Sequence, residues 1–367
     1  MKFRYIKVTS KFIYLATSYH LFKKSYQNWP YSSRILIYKM IKTGILQGNI
    51  AAIIILWSFG IVGVIANLIV IYISVRNKYF TRRFINQFHD VHNILITNLS
   101  IIDLLGCIYL LIISGADAYY SLIEPYKYGC FFTNSCHNYT NTWAISPMCS
   151  VARYIANIAT ITPAFITLFI AFDRYTKIIK FRSRYRFTTK RCKIAVAVAW
   201  LLSITFSTFM CIRAIQLKQP HSFRNYNNVC GFPNPNDFLF RMFSFAGFIS
   251  AIGSYAISMI LYLFIIYRIQ EARHKIFDLR ERAKRNTRTA EIRLCIITGI
   301  LALTNFCSWL PNLVSFNISE IRSTVSLKVS IAYYHLSLLG YFLVFINSCA
   351  NPVCYIIFLV KTFVHHN

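Results

Sequence analysis

The amino-acid sequence predicts an all-α membrane protein in which seven helices cross a bilayer, and its composition and hydropathy support this fold class. Hydrophobic residues make up 56% of the 367-residue chain and charged residues only 14%, whereas a soluble protein normally has about a quarter of its residues charged. Seven stretches are long enough to cross the hydrocarbon core, which takes about 20 mostly apolar residues. Because backbone groups in lipid must bond within the protein, each stretch should form a helix.

The predicted spans, in chain order, are 49–75, 93–115, 149–172, 193–212, 240–267, 292–316 and 329–358. Polar, charged or bulky aromatic side chains mark each span, and in chain order they include Asn67, Asp103, Asp173 with Arg174 and Tyr175, Trp200, Tyr262, Trp309 before Pro311, and Asn351 before Pro352. The spans divide the chain into a basic amino-terminal segment at 1–48, a seven-span domain at 49–358 and a short tail at 359–367.

Charge gives the predicted orientation, because cytoplasmic loops collect Lys and Arg. The loop at 76–92 carries four basic residues, and the segments 174–193 and 268–293 carry nine each, whereas 116–148 carries only Lys127. The amino terminus should therefore lie outside the cell and the carboxyl terminus inside. The net charge of +29 is then a signal of topology rather than of nucleic-acid binding, which would need a soluble basic face.

The segment 1–48 departs from this charge rule, since it has nine Lys and Arg residues and no acidic residue. It lacks the apolar run and cleavage site of a signal peptide. Three interpretations stay open: a short interfacial helix around 11–22, a poorly ordered extracellular tail, or a misassembled start of the gene.

Two neighbouring cysteines and one glycosylation sequon fall in the first predicted outer loop. Cys130 and Cys136 lie close together in the first outer loop, where an oxidising space favours a local disulfide over free thiols. Asn138-Tyr-Thr140 in the same loop is an acceptor sequence for N-glycosylation. No spacing of Cys and His typical of a zinc site occurs in the chain.

Several polar side chains lie at predicted bilayer depth, where charge is costly and usually serves a function. They are Asn67 in span 1, Asp103 in span 2, and Asn347, Ser348 and Asn351 in span 7. Two interpretations are open: a cluster that rearranges during function, or a static hydrogen-bond network that only specifies packing.

Two motifs carry a family resemblance that covers about 49–363. Asp173-Arg174-Tyr175 ends span 3, and Asn351-Pro352-Val353-Cys354-Tyr355 closes span 7. With seven spans, these motifs resemble the rhodopsin-like (class A) G-protein-coupled receptors. The resemblance implies a signal transducer in the plasma membrane rather than an enzyme, with a heterotrimeric G protein as partner and no organic cofactor.

The resemblance also implies roles for individual residues. It implies a disulfide between Cys149 and Cys230, and a sodium ion at Asp103 and Asn347. The place where the family usually offers a serine ligand is Pro163 here, which has no side-chain oxygen.

The implied activation switch includes an ionic lock at the foot of span 3. In the family, the Arg corresponding to Arg174 is held by the preceding acid, here Asp173, and by an acid at the foot of span 6, here Glu291. The alternative for Glu291 is a solvated charge in a basic loop. The further implied switch residues are Tyr175, Tyr262, Asn305, Trp309, Pro311, Asn351, Pro352 and Tyr355.

Departures from the common pattern suggest a branch of the family. Asn305 stands where most members have Phe, and Trp143 lies six residues before Cys149 in a long first outer loop. Both are similar to the glycoprotein-hormone and relaxin receptors, which carry leucine-rich ectodomains. Residues 1–48 show no such repeat.

The ligand class follows partly by exclusion. The resemblance would put an Asp at Ala156 for an amine ligand and a Lys at Phe345 for retinal. We therefore expect a peptide or protein ligand, with candidate pocket residues Arg153, Trp309 and Tyr341. Arg153 suits an acidic group, and its alternative is snorkelling to the interface. A transporter or channel, or a non-signalling receptor fragment, remains the alternative function.

Overall fold

The computed structural model describes residues 44–46, 49–81, 88–123, 143–179, 187–217, 229–231, 237–275, 295–311 and 327–364. Within these ranges the regular structure is helical, and no residue is in a strand. Predictions on residues 1–43 and on Cys130, Cys136, Asn138 and Glu291 lie outside the described residues.

Seven main helices follow the predicted order. They are α1 Ile50–Thr81, α2 Phe88–Ala118, α3 Pro147–Ile178, α4 Thr189–Gln216, α5 Phe238–Lys275, α6 Cys295–Pro311 and α7 Leu327–Val364. A π-helical turn, Tyr119–Ile123, follows α2. Six of the helices contain stretches long and apolar enough to cross a membrane, and α6 is apolar but shorter over its described part. The predicted all-α, seven-helix fold class is confirmed.

The starts of α3 and α4 are fixed by caps. Ser146 accepts a hydrogen bond from the backbone N–H of Cys149 at 3.1 Å, with Pro147 in the first turn, where its missing N–H costs nothing. Thr188 caps α4 in the same way through Arg191. The two helices therefore begin two and four residues before the predicted spans, because these caps lie beyond the apolar stretch.

The chain divides into two units. The first comprises Met1–Gly48 and Asp117–Tyr139, and the second comprises Asn49–Ala116 and Thr140–Asn367. In the first unit the backbone N–H of Leu46 donates to Oδ1 of Asp117 at 2.7 Å. Gly44 is needed there, because a Cβ would lie 2.5 Å from the same oxygen.

The second unit holds the helix bundle, in which α3 packs on α4 and α5, and α1 packs on α7. A buried apolar cluster of α1 to α4 residues includes Val70, Leu95, Ile166 and Val196. The approach of α1 to α2 depends on Gly63, since a Cβ there would lie 2.2 Å from Sγ of Cys107. Side chains facing away from these contacts are apolar and exposed along α1, α4 and α5, as expected of lipid-facing surfaces.

Candidate functional site: a cavity and an ionic cluster at opposite ends of α3

The cavity lies beside the Cys149 end of α3. It has a volume of about 60 Å³ and is bounded by α3, α4, α5, α6 and α7 and by Cys230 and Gly231. Six aromatic side chains form much of its wall: Phe206, Phe240, Phe248, Trp309, Tyr341 and Phe345. Four polar side chains also line it: Asn157, Thr160, Ser244 and Tyr341. Two of the three predicted pocket residues, Trp309 and Tyr341, are therefore on the wall.

Arg153, the third predicted pocket residue, is not among the described residues that line the cavity. Its Nε donates to the backbone carbonyl of Cys230 at 3.1 Å, and the residue is 5% exposed. In this arrangement the guanidinium holds the loop between α4 and α5.

A short segment of the loop between α4 and α5, Val229–Gly231, forms a lid that three bonds hold in place. Cys230 forms the predicted disulfide with Cys149, with a Cα–Cα distance of 5.4 Å. Arg153 binds the carbonyl of Cys230, and the hydroxyl of Tyr109 donates to the carbonyl of Val229 at 2.7 Å. Cys230 has a φ of 58°, a conformation that a non-glycine residue keeps only when its surroundings hold it.

The base of the same loop is closed by an ion pair. Nε of Arg213, near the end of α4, donates to Oδ1 of Asp237 at 3.0 Å, and Nη2 binds the second carboxylate oxygen. Asp237 also caps α5 by accepting from the backbone N–H of Phe240 at 2.8 Å. The hydrogen bonds from Arg213 hold the pKa of the Asp237 carboxyl below its ordinary value.

The other end of α3 carries a buried ionic cluster. Oδ2 of Asp173 lies 3.1 Å from Nη2 of Arg174 and 2.9 Å from Nζ of Lys177. Asp173 and Arg174 are each 1% exposed. One carboxylate oxygen therefore faces two cations. Lys177 was missed by the sequence reasoning, although its position four residues after Asp173 is a known spacing for helical ion pairs.

Three aromatic switch candidates lie in apolar groups that include residues of this half of α3. Tyr262 of α5 is buried with Ala171, Ile265, Cys295 and Ala302, and Tyr175 packs against the same group. Tyr355 of α7 packs against the apolar cluster of α1 to α4, with its ring centroid 6.2 Å from that of His92.

The central polar cluster joins α1, α2 and α7. Nδ2 of Asn67 donates to the backbone carbonyls of Gly63 and Ser348, both at 2.9 Å. Nδ2 of Asn351 donates to Oδ2 of Asp103 at 2.9 Å.

Asn347 is directed elsewhere, since its Nδ2 donates to Oγ of Ser308 on α6 at 2.7 Å. This contact links α7 to α6. Ser308 lies three residues after Asn305, and the amide of Asn305 donates to the carbonyl of Leu301 on its own helix at 2.9 Å.

The sodium ion implied at Asp103 and Asn347 stays a prediction, because part of the implied ligand set is engaged elsewhere or missing. One carboxylate oxygen of Asp103 accepts the Asn351 amide, the Asn347 amide nitrogen faces α6, and Pro163 supplies no oxygen. A hard cation needs several oxygen ligands at once. We therefore derive no step through sodium.

Comparison with known proteins defines the class. Residues 66–355 match the family described as "7 transmembrane receptor (rhodopsin family)". The match covers most of the chain, and the chain belongs to this family. It is a multi-pass plasma-membrane receptor of the rhodopsin type.

Three relatives show how the chain compares with particular receptors. It is 23% identical to the G-protein coupled receptor GRL101 of Lymnaea stagnalis over 84% of this chain and 25% of the relative. It is 24% identical to the neuropeptide Y receptor type 1 of Xenopus laevis, over 80% of this chain and 74% of the relative. It is also 24% identical to the melanin-concentrating hormone receptor 1 of Sus scrofa, over 83% of this chain and 76% of the relative. The chain thus spans a quarter of the Lymnaea receptor's length and about three quarters of the other two.

Proposed function

We propose that the chain passes the signal of an extracellular peptide or protein ligand to a heterotrimeric G protein. The observation that carries this proposal is the buried Asp173–Arg174 pair at the end of α3. In a chain of this family, a desolvated Arg at a helix end can exchange one ionic partner for another when the receptor changes state. The names of two relatives, as receptors for neuropeptide Y and melanin-concentrating hormone, support the ligand class.

The proposed orientation puts the Asp173 end of α3 in the cytoplasm and the Cys149 end outside. The basic loops at 76–92, 174–193 and 268–293 support it, and so does a disulfide at the Cys149 end, which persists in an oxidising compartment. The ligand would then reach the cavity from outside.

The proposed switch has a resting and an active state. At rest, Asp173 holds Arg174, and Glu291 would hold it from the foot of α6. Release of these contacts frees Arg174 for the G protein and lets α6 move away from α3. Tyr262 and Tyr355 are near enough to the cluster to repack with it, and the contact of Asn347 with Ser308 links the same motion to the cavity floor at Trp309.

The hormone-receptor branch remains a finer proposal, carried by Asn305. This residue is 5% exposed and uses its amide on its own helix, a bond that an Asp carboxylate could not donate. Receptors of this branch carry an Asp at the position of Asn305. If the chain belongs to the branch, Asn305→Asp should lower ligand-free signalling. Unchanged ligand-free signalling would count against the branch.

The deciding experiment compares signalling with transport in the same cells. Ligand-free second-messenger output and ion flux are measured for the wild type and for Arg174→Ala at equal surface expression. The proposal expects second-messenger output above that of empty cells and its loss in Arg174→Ala. Ion flux without second-messenger output would instead favour a transporter or channel, and neither signal would favour a non-signalling fragment.

A further inference from the structure

Tyr109 of α2 lies between the lid Val229–Gly231 and α7. The residue is fully buried, and its hydroxyl donates to the carbonyl of Val229 at 2.7 Å. The same hydroxyl lies 3.4 Å from the hydroxyl of Tyr341 on α7. Because a phenol has one proton to donate, and Tyr109 gives its proton to Val229, Tyr341 must be the donor in the second bond. One side chain therefore joins the lid to α7.

The ring of Tyr109 adds a second contact with α7. Its centroid lies 4.6 Å from the ring of Phe345 and 6.5 Å from the ring of Tyr341, with the planes of the two tyrosines at 77°. Tyr341 and Phe345 are one helical turn apart, and their own centroids are 5.6 Å apart. Aromatic pairs attract one another at these distances. Tyr109 therefore contacts two successive turns of α7.

The lid is a fixed support for these contacts. Cys230 is tied to α3 by the disulfide with Cys149 and by the hydrogen bond from Arg153. Neither bond involves α7. A displacement of the Tyr341 turn relative to the lid would therefore break the contacts of Tyr109 and leave the lid in place on α3.

By the proposed function, these contacts belong to the resting state, because the same structure holds Arg174 in its pair with Asp173. The part of α7 that Tyr109 contacts also reaches α6, since Asn347, two residues after Phe345, donates to Ser308. A bond that is present in only one of two states shifts the equilibrium towards that state, and a bond that both states share shifts nothing. Removal of the hydroxyl of Tyr109 can therefore distinguish the two cases.

We propose that Tyr109 is a positioning residue that holds α7 against the fixed lid in the resting state and thereby limits signalling in the absence of ligand. This inference rests on the proposed receptor function. Tyr109 acts through the position of α7, and the part of the side chain that is selective for the resting state is its hydroxyl.

The first test measures ligand-free second-messenger output at equal surface expression. Tyr109→Phe keeps the ring and removes the hydroxyl, so output should rise about fivefold, as expected when the resting state loses one hydrogen bond. Tyr341→Phe should also raise output. The double variant should match Tyr109→Phe, because the two substitutions interrupt the same connection.

Tyr154→Phe is the matched control for this test. Tyr154 follows Arg153 on α3, and its hydroxyl forms no hydrogen bond within the described part of the chain. Its removal should leave ligand-free output unchanged. A substitution that only weakens the fold would lower surface expression without raising the output of each receptor.

The second test needs no G protein. In melting experiments on the purified receptor, the double variant should lose less stability than the two single variants lose together, because the two hydroxyls interact. Strictly additive losses would overturn the inference. Unchanged or lower output in Tyr109→Phe, in a receptor whose wild type signals, would overturn it as well and leave the signalling proposal standing. A wild type without second-messenger output would instead fail the signalling proposal, and with it the role of Tyr109, even if the melting losses were not additive.

Discussion

The two ends of α3 are held by different kinds of contact. The outer end, by the proposed orientation, borders a cavity on which no charged residue lies among the described lining residues. It is closed by a disulfide and by hydrogen bonds to the carbonyls of Val229 and Cys230. At the inner end, one carboxylate oxygen of Asp173 faces two cations. By the proposed function, the outer end holds a fixed lid, whereas the change of state at the inner end uses charges that can exchange partners.

The largest expected effect is at the outer end, where the disulfide holds the lid. Cys149→Ser or Cys230→Ser should lower surface expression about tenfold, because removal of a native disulfide from a loop costs a few kcal/mol. Antibody labelling of intact cells measures it. Cys307→Ser, which changes an exposed free cysteine, should have no such effect. Normal surface levels in both disulfide variants would show that the lid does not need the bond.

At the inner end, Glu291→Ala should raise ligand-free second-messenger output. If Glu291 is a second partner of Arg174, its loss destabilises the resting state alone, and a loss of about 1.4 kcal/mol multiplies the active-to-resting ratio about tenfold. Glu271→Ala is the control, since Glu271 pairs with Arg268 on the surface of α5. Output unchanged in Glu291→Ala would leave Glu291 as a solvated loop charge.

Removal of Lys177 should have the opposite effect to removal of Glu291. Its Nζ competes with Arg174 for the same oxygen of Asp173, so Lys177→Ala should strengthen the Arg174–Asp173 pair. A gain of about 0.6 kcal/mol in the free energy of the resting state would lower ligand-free output about threefold. Lys190→Ala, at an exposed position on α4, serves as the control. A rise in output would mean that Lys177 supports the resting state instead.

The smallest effect should be chemical rather than functional. The sequon at Asn138 predicts a glycan on the outer side, and glycosidase treatment should then shift the gel mobility of the wild type but not of Asn138→Gln. Thr140→Ala, which keeps Asn138 and destroys the same sequon, should behave alike. The sequon at Asn98 is not expected to carry a glycan, since its side chain bonds Trp200 and the carbonyl of Ile94 inside the bundle. An unaltered shift in both variants would place the sugar elsewhere or reverse the topology.

Sequence reasoning succeeded where hydropathy and spacing carry the information. The seven spans follow from apolar length alone, and the motifs at Arg174 and Asn351 lie in α3 and α7 as predicted. The contacts of Asn67 with Ser348 and of Asn351 with Asp103 bring together residues that the sequence had grouped by depth.

The rest depended on partners that a sequence does not display. Arg153 and Tyr109 bind backbone carbonyls of a loop distant in sequence. Because every residue type has a backbone carbonyl, the sequence gives no sign of these contacts. Arg153 was predicted to bind the ligand from its basic charge near a cavity, and this role stays a prediction. Its contact with the lid was not predicted. The pair of Arg213 and Asp237 spans a loop, and only the folded chain brings its ends together.

The most direct measurement concerns the inner cluster. Ligand-free nucleotide exchange on a G protein is compared in membranes that contain equal amounts of the wild type, Asp173→Asn and Arg174→Ala. Because Asp173→Asn keeps the shape of the side chain but removes the charge that holds Arg174, exchange should rise about tenfold, while Arg174→Ala should fall to the level of empty membranes. A switch built on this ion pair would be contradicted if Asp173→Asn gave exchange at or below the wild-type rate and Arg174→Ala gave exchange at the wild-type rate.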